Sequence, residues 1–115
     1  MSGMTLREYQ EWTRATAVYH GRGHAAGLHY TVLGLVGEAG ELAQKVKKRL
    51  RDAGGDLTAP DFRRDMMLEL GDCLWYVARL AEELGYGLDE AAQANLDKLA
   101  ERRLRGTLQG SGDGR

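Results

Sequence analysis

Two short acidic words constrain this chain more than any other feature in it. Glu38 and Glu41 stand in Gly37-Glu38-Ala39-Gly40-Glu41-Leu42, and Glu69 and Asp72 in Leu68-Glu69-Leu70-Gly71-Asp72. Each word spaces its acids by three inside an apolar helical stripe: Leu35 and Leu42 flank Glu38, and Met66 and Cys73 neighbour Glu69. Acids in such a stripe oppose folding unless something compensates their charge. Two such pairs point to a divalent cation.

The surrounding pattern is helical throughout. Proline occurs once, at Pro60, glycine clusters between periodic segments, and β-branched residues are few. The expected architecture is all-α, a four-helix bundle. A first helix starts at Thr5, where Thr5 and Glu8 form a capping box. It carries Leu6, Tyr9, Trp12, Ala15 and Tyr19 at helical spacing, up to Gly21-Arg22-Gly23-His24. A second helix runs from about Leu28 to Asp52, with Leu35, Ala39, Leu42, Val46 and Leu50 as its buried stripe. Gly34, Gly37 and Gly40 lie inside it, and each costs about 1 kcal/mol relative to alanine. Such a ladder predicts close helix approach.

Ala53-Gly54-Gly55-Asp56 reads as a loop. Thr58-Ala59-Pro60-Asp61 starts a third helix, with proline in its first turn. That helix continues to about Leu84 through Met66, Met67, Leu70, Leu74, Val77, Leu80, Ala81 and Leu84. Gly85-Tyr86-Gly87 ends it, and a fourth helix covers about Leu88 to Arg105, with Ala91, Ala92, Leu96 and Leu99 inward. Residues 106–115 are too rich in glycine for regular structure. One all-α domain over residues 1–105 and a glycine-rich tail over 106–115 are therefore expected.

Composition narrows the partners. The 115 residues suffice for one domain and one core. A net charge of −1 leaves no basic field to recruit a nucleic-acid polymer, so any polyanion must meet a local cluster. Cys73 is the only cysteine, which rules out an intrachain disulfide and fits a cytoplasmic location. The first residues lack an apolar signal-peptide core, and no uncharged apolar run approaches the ~20 residues of a membrane span. No membrane partner is expected.

Residues three apart on a helix share a face, with about 5–6 Å between Cβ atoms. If the second and third helices pack antiparallel, as a short connection favours, four carboxylates ring one site. Without metal they would repel one another and raise one another's pKa values. Mg²⁺, or Mn²⁺ in its place, removes that conflict, because hard cations prefer oxygen. His20, His24 and His29 lie upstream, and none follows a glutamate by three in either word. That argues against a di-iron bundle and against zinc.

Cations near these acids have two readings each. Lys45 and Lys48 share the face of Glu41, one and two turns on, and suit a phosphate; they also belong to a basic run that complements the helix C-terminus. Asn95, Lys98 and Arg102 form one face of the last helix, either a solvated stripe or a set reaching phosphate or sugar. Trp75 follows Asp72 closely and is either core or a surface for stacking a base.

The words Gly-Glu-Ala-Gly-Glu-Leu and Glu-Leu-Gly-Asp-Cys-Leu-Trp-Tyr resemble the MazG-like all-α nucleotide pyrophosphohydrolases, whose pattern is Glu-x-x-Glu followed by Glu-x-x-Asp. Residues 95–102 are similar to that family's last helix, where Asn and Lys contact substrate. The resemblance runs from about Leu33 to Arg105 and fits the short single-domain members. It implies an oligomeric fold, a homodimer or homotetramer. It implies hydrolysis of a nucleoside triphosphate, non-canonical or deoxy forms included, to a monophosphate and pyrophosphate. Glu38, Glu41, Glu69 and Asp72 would hold Mg²⁺, Glu38 or Glu41 would orient or deprotonate the attacking water, and Lys98 would neutralise phosphate charge. Two alternatives stand beside this: a non-catalytic oligomeric helical module, and a narrower dUTP or phosphoribosyl-ATP pyrophosphatase.

Overall fold

The first, third and fourth helices each begin or end on a local signal written into the chain. The computed structural model describes residues 3–52 and 54–114. Ala53, the first residue of the expected loop, lies outside the described residues, as do Met1, Ser2 and Arg115. Helix α1 spans Leu6–Thr13. Its capping box closes as expected: the Glu8 N–H donates to Thr5 Oγ1 and the Thr5 N–H to Glu8 Oε1, both at 3.0 Å.

The first helix is shorter than its periodicity suggests. The Thr13 hydroxyl donates to the Gln10 carbonyl at 2.6 Å, and the Thr16 hydroxyl to the Thr13 carbonyl at 3.2 Å. Such hydroxyls offer the backbone an alternative to the helical ladder. The chain tightens into a 3₁₀ turn over Arg14–Thr16, so Ala15 sits in that turn and Tyr19 lies beyond it. Helix α2 spans Ala25–Asp52, starting earlier than expected. Helix α3 spans Pro60–Glu83, with proline in its first turn, and α4 spans Leu88–Arg105. The described residues contain helices, turns and no strand, so the fold is all-α.

Helices α2 and α3 form an antiparallel hairpin. Gly27 meets Glu83, Gly34 meets the Tyr76 ring, and Lys45 pairs with Asp65. Each step forward along α2 is matched by the same step back along α3. Gly34 makes this approach possible, since a Cβ there would lie inside the Tyr76 ring. Gly37 and Gly40 do not share that role. Nothing lies within 4 Å of a Cβ placed on either, so the glycine ladder serves close packing at one rung only.

Polar side chains join the other elements. The buried Gln10 amide donates to the Tyr86 carbonyl at 3.0 Å and to the Ala78 carbonyl at 3.3 Å. Its Oε1 accepts the Leu88 N–H at 2.8 Å, satisfying a donor that the start of α4 would otherwise leave orphaned. Arg79 is fully buried. It donates to Glu82 at 2.8 Å, to the Tyr19 hydroxyl at 3.3 Å and to Thr13 Oγ1 at 3.4 Å. Tyr19 in turn donates to Glu83 Oε2 at 2.7 Å. A buried guanidinium is tolerable only with this many partners.

The apolar core is small. Among the described residues it consists of Ala17, Cys73, Ala78, Ala81 and Leu88. The stripe expected to be buried on α2 is half-buried at Leu35, Leu42 and Val46 and exposed at Ala39 and Leu50. Leu70 and Leu74 on α3, Leu84 at its C-terminal cap, and Ala91, Leu96 and Leu99 on α4 are exposed as well. The radius of gyration is 17.1 Å, against about 13 Å for a compact chain of this length. The accessible surface is 8292 Å², against roughly 6,200 Å² for a monomer of this mass. No described helix is long and apolar enough to cross a membrane.

The two kinds of glycine make opposite predictions. Gly34→Ala should destabilise by about 1–3 kcal/mol, the range of an overpacked contact, despite its gain in helix propensity. Gly37→Ala and Gly40→Ala should each stabilise by about 0.5–1 kcal/mol. Urea denaturation followed by circular dichroism reads both signs.

Candidate metal centre

The register that packs Gly34 on Tyr76 also determines where the acids meet. It sets Glu38 opposite Asp72 and Glu41 opposite Glu69. Carboxylate oxygens of Glu38, Glu69 and Asp72 all lie within 4.8 Å of one another. Glu38 and Glu69 are half-buried and Asp72 is exposed, so the cluster opens to solvent on one side. Glu41 is exposed and stands outside this trio. Its charge still reaches Glu38.

Partial burial, then the Asp72 and Glu69 charges, hold the Glu38 carboxyl above the ordinary carboxylate range. Three acids in reach of one another, one of them resisting ionisation, are a donor set that a cation relieves. All donors are oxygen, which fits Mg²⁺ or Mn²⁺. None of the three histidines belongs to the cluster.

Tyrosines crowd one side of the acids. Tyr76 is bonded to Tyr30, and that bond together with burial pushes its hydroxyl up to about 12, with Glu38 and Asp72 adding to the effect. Burial and the Asp72 charge also push Tyr9 up. Tyr30 stacks on Tyr19 with ring centroids 5.0 Å apart. Trp75 meets Tyr76 edge-on at 4.9 Å, is half-buried, and donates its indole N–H to Thr16 Oγ1 at 2.7 Å. Trp75 therefore belongs to the packing between α3 and the 3₁₀ turn, with its one donor already engaged.

On the other side lies positive charge. Lys45 Nζ sits 3.2 Å from Glu69 Oε1 and 2.7 Å from Asp65 Oδ2. It lines a recess of about 250 Å³ with Lys48, Arg49, Asp52, Phe62 and Asp65. Lys45 and Lys48 thus share one cationic hollow that runs on from the acids, one turn apart on α2. Arg49 lies over the Phe62 ring at 5.3 Å and donates to the Asp56 carbonyl at 2.7 Å.

The α4 trio is not joined to the acids. Asn95 is exposed. Lys98 and Arg102 make their ion pairs with Asp113 in the tail. Sequence reasoning overlooked Asp65, although it precedes Glu69 by four and Asp72 by seven on one helical face. It also overlooked the buried Arg79, whose only signal was a cation inside an apolar stripe, whereas Tyr76, read with Trp75 as core or a stacking surface, packs on Gly34 beside the acids.

Comparison with known proteins gives two matches. The family model for the MazG nucleotide pyrophosphohydrolase domain covers residues 27–105. The Gene 37 protein of Mycobacterium phage L5 is 51% identical over 110 residues, covering 93% of this chain and 96% of that protein. No solved structure matches significantly. The matched span holds both acidic words, all of α3 and α4 and α2 from Gly27 onward, so this chain belongs to the MazG nucleotide pyrophosphohydrolase family.

Proposed function

We propose that the protein hydrolyses nucleoside triphosphates to a nucleoside monophosphate and pyrophosphate, with Mg²⁺ held by Glu38, Glu69 and Asp72 and supported by Glu41. One observation carries this reading: carboxylates from two helices converge within a domain of a pyrophosphohydrolase family. When bound there, Mg²⁺ supplies charge neutralisation on phosphate oxygens and a more acidic water. Glu41, outside the trio, keeps its oxygens free to orient the attacking water and accept its proton. Lys45 and Lys48 supply positive charge to the phosphate chain; Lys45 exchanges its bond to Asp65 for one to phosphate. Lys98, Arg102 and Asn95 bind phosphate or sugar at a second position. Non-canonical or deoxy nucleotides are the proposed substrates.

A substrate panel with Mg²⁺, assayed for pyrophosphate against orthophosphate, tests the reaction. Pyrophosphate release from at least one nucleotide is expected, together with a loss of about 100-fold or more in kcat for Glu41→Gln or Asp72→Asn at unchanged helical circular dichroism. Orthophosphate alone would contradict the reading. Turnover confined to dUTP or phosphoribosyl-ATP would narrow it, and no turnover with any nucleotide would favour a non-catalytic helical module.

Glu38 gives a pH prediction. Its folded carboxyl binds a proton more tightly than the unfolded one. The stability tied to this group is therefore complete below the ordinary carboxylate range and falls as pH rises toward the raised value. In metal-free protein, Glu38→Gln should remove that decline and raise the melting temperature at neutral pH. Mg²⁺ should raise the melting temperature of the wild type and not of the variant. A strongly destabilised variant would identify Glu38 as a structural partner instead.

We also propose that the protein works as a homodimer or homotetramer. The expanded radius and the exposed Leu33, Val36, Met67, Leu70 and Leu74 support this. Light scattering at micromolar concentration should give twice or four times the chain mass, and a monomer there would refute it.

A further inference from the structure

The glycine-rich tail returns to the last helix and ends on its cations. Gly106 closes α4 in the left-handed region at φ 71°, and the Thr107 N–H bonds back to the Arg102 carbonyl at 2.8 Å. Gly110 and Gly112 take φ values of 130° and 75°, which glycine alone adopts without strain. These turns bring Asp113 Oδ1 to 3.1 Å from both Lys98 Nζ and Arg102 Nη2. Arg102 Nη2 also donates to the Asp113 carbonyl at 2.9 Å and to the Gly112 carbonyl at 3.5 Å.

The two ends of this contact differ. The Asp113 side chain is 84% exposed, whereas that of Arg102 is 4% exposed. Arg102 Nε is buried and has no partner. A guanidinium presents its donors as a planar fork that fits two oxygens of one anion. The tail engages Nη2 and leaves the Nε donor unused, so the site offers more than the tail takes.

We propose that Lys98 and Arg102 form an anion site for phosphoryl oxygens and that Asp113 is its built-in competitor, which must leave before a nucleotide phosphate or pyrophosphate binds. This deepens the functional reading above and rests on it for the identity of the anion. A phosphoryl group carries more charge than a carboxylate and has oxygens for both Nη2 and Nε. An exposed carboxylate holds its partners weakly, and salt weakens it further. The expected effect is a modest throttle rather than a closed gate.

Pyrophosphate alone, without metal, is the probe, and the full chain is used throughout. Calorimetry at low salt should find that Asp113→Asn binds pyrophosphate about two- to five-fold more tightly than wild type, the scale of one exposed ion pair. Lys98→Gln should weaken binding and narrow the difference between Asp113 and Asn at position 113, because Arg102 still pairs with Asp113. In turnover, Asp113→Asn should lower KM with kcat unchanged. Equal affinity in wild type and Asp113→Asn would overturn the proposal, and so would no pyrophosphate binding in either at millimolar concentration. The binding arm is independent of catalysis. An inactive protein in which Asp113→Asn still tightens binding retires the hydrolase and keeps the competitor, whereas an active enzyme with unchanged binding does the reverse.

Discussion

The contact between Gly34 and the Tyr76 ring holds the rest of the structure in register. A ring lying directly on helix backbone leaves no latitude for sliding one helix past the other. Once that contact is made, the positions of Glu38 against Asp72 and Lys45 against Asp65 follow from helical repeat alone. The convergence of the carboxylates is thus a by-product of packing one turn away. The same ring carries a hydroxyl bonded to Tyr30 and sensitive to the acids, so packing and electrostatics meet in one side chain.

This register inverts the usual placement of polar and apolar groups. The face of α3 turned toward α2 carries Asp65, Glu69, Asp72 and Tyr76. Met67, Leu70 and Leu74 are left open to the surroundings. Cohesion inside the chain comes to an unusual degree from hydrogen bonds: the Gln10 clamp across α1, α3 and α4, and the Arg79 cluster linking α3 to Thr13 and Tyr19. Such networks are specific but contribute modestly per bond, about 0.5–1.5 kcal/mol each. They position helices well and do little to bury surface.

Much of this was legible before any coordinates. Capping at Thr5 and Glu8, proline at the start of α3 and glycine at the end of α4 mark boundaries through strictly local chemistry, which a sequence displays directly. The acidic words likewise announce a shared face, because helical spacing is a local rule. What escaped notice depends on distance or on rotamers. Spacing puts Glu41 on the right face but does not set its side chain, and three carboxylates cluster where four were expected. The end of α1 turned on two threonine hydroxyls whose bonding to backbone competes with an otherwise continuous apolar period. The exposed stripes on α2, α3 and α4 were read as core because periodicity shows that a face is apolar and not what covers it. No local pattern connects Asp113 to Lys98.

That last pair has a consequence for selectivity. The two residues lie 15 apart along the chain, and a short flexible tether holds its carboxylate at an effective concentration in the millimolar range. On the proposed reading the Lys98 and Arg102 pair on α4 would face one anion at a fixed local level. Free phosphate below that level competes poorly. A ligand anchored elsewhere on the protein delivers its own phosphate at a comparable local concentration and wins the exchange. On that reading the tail would act as a mild concentration filter, favouring anions that arrive already attached over stray ones.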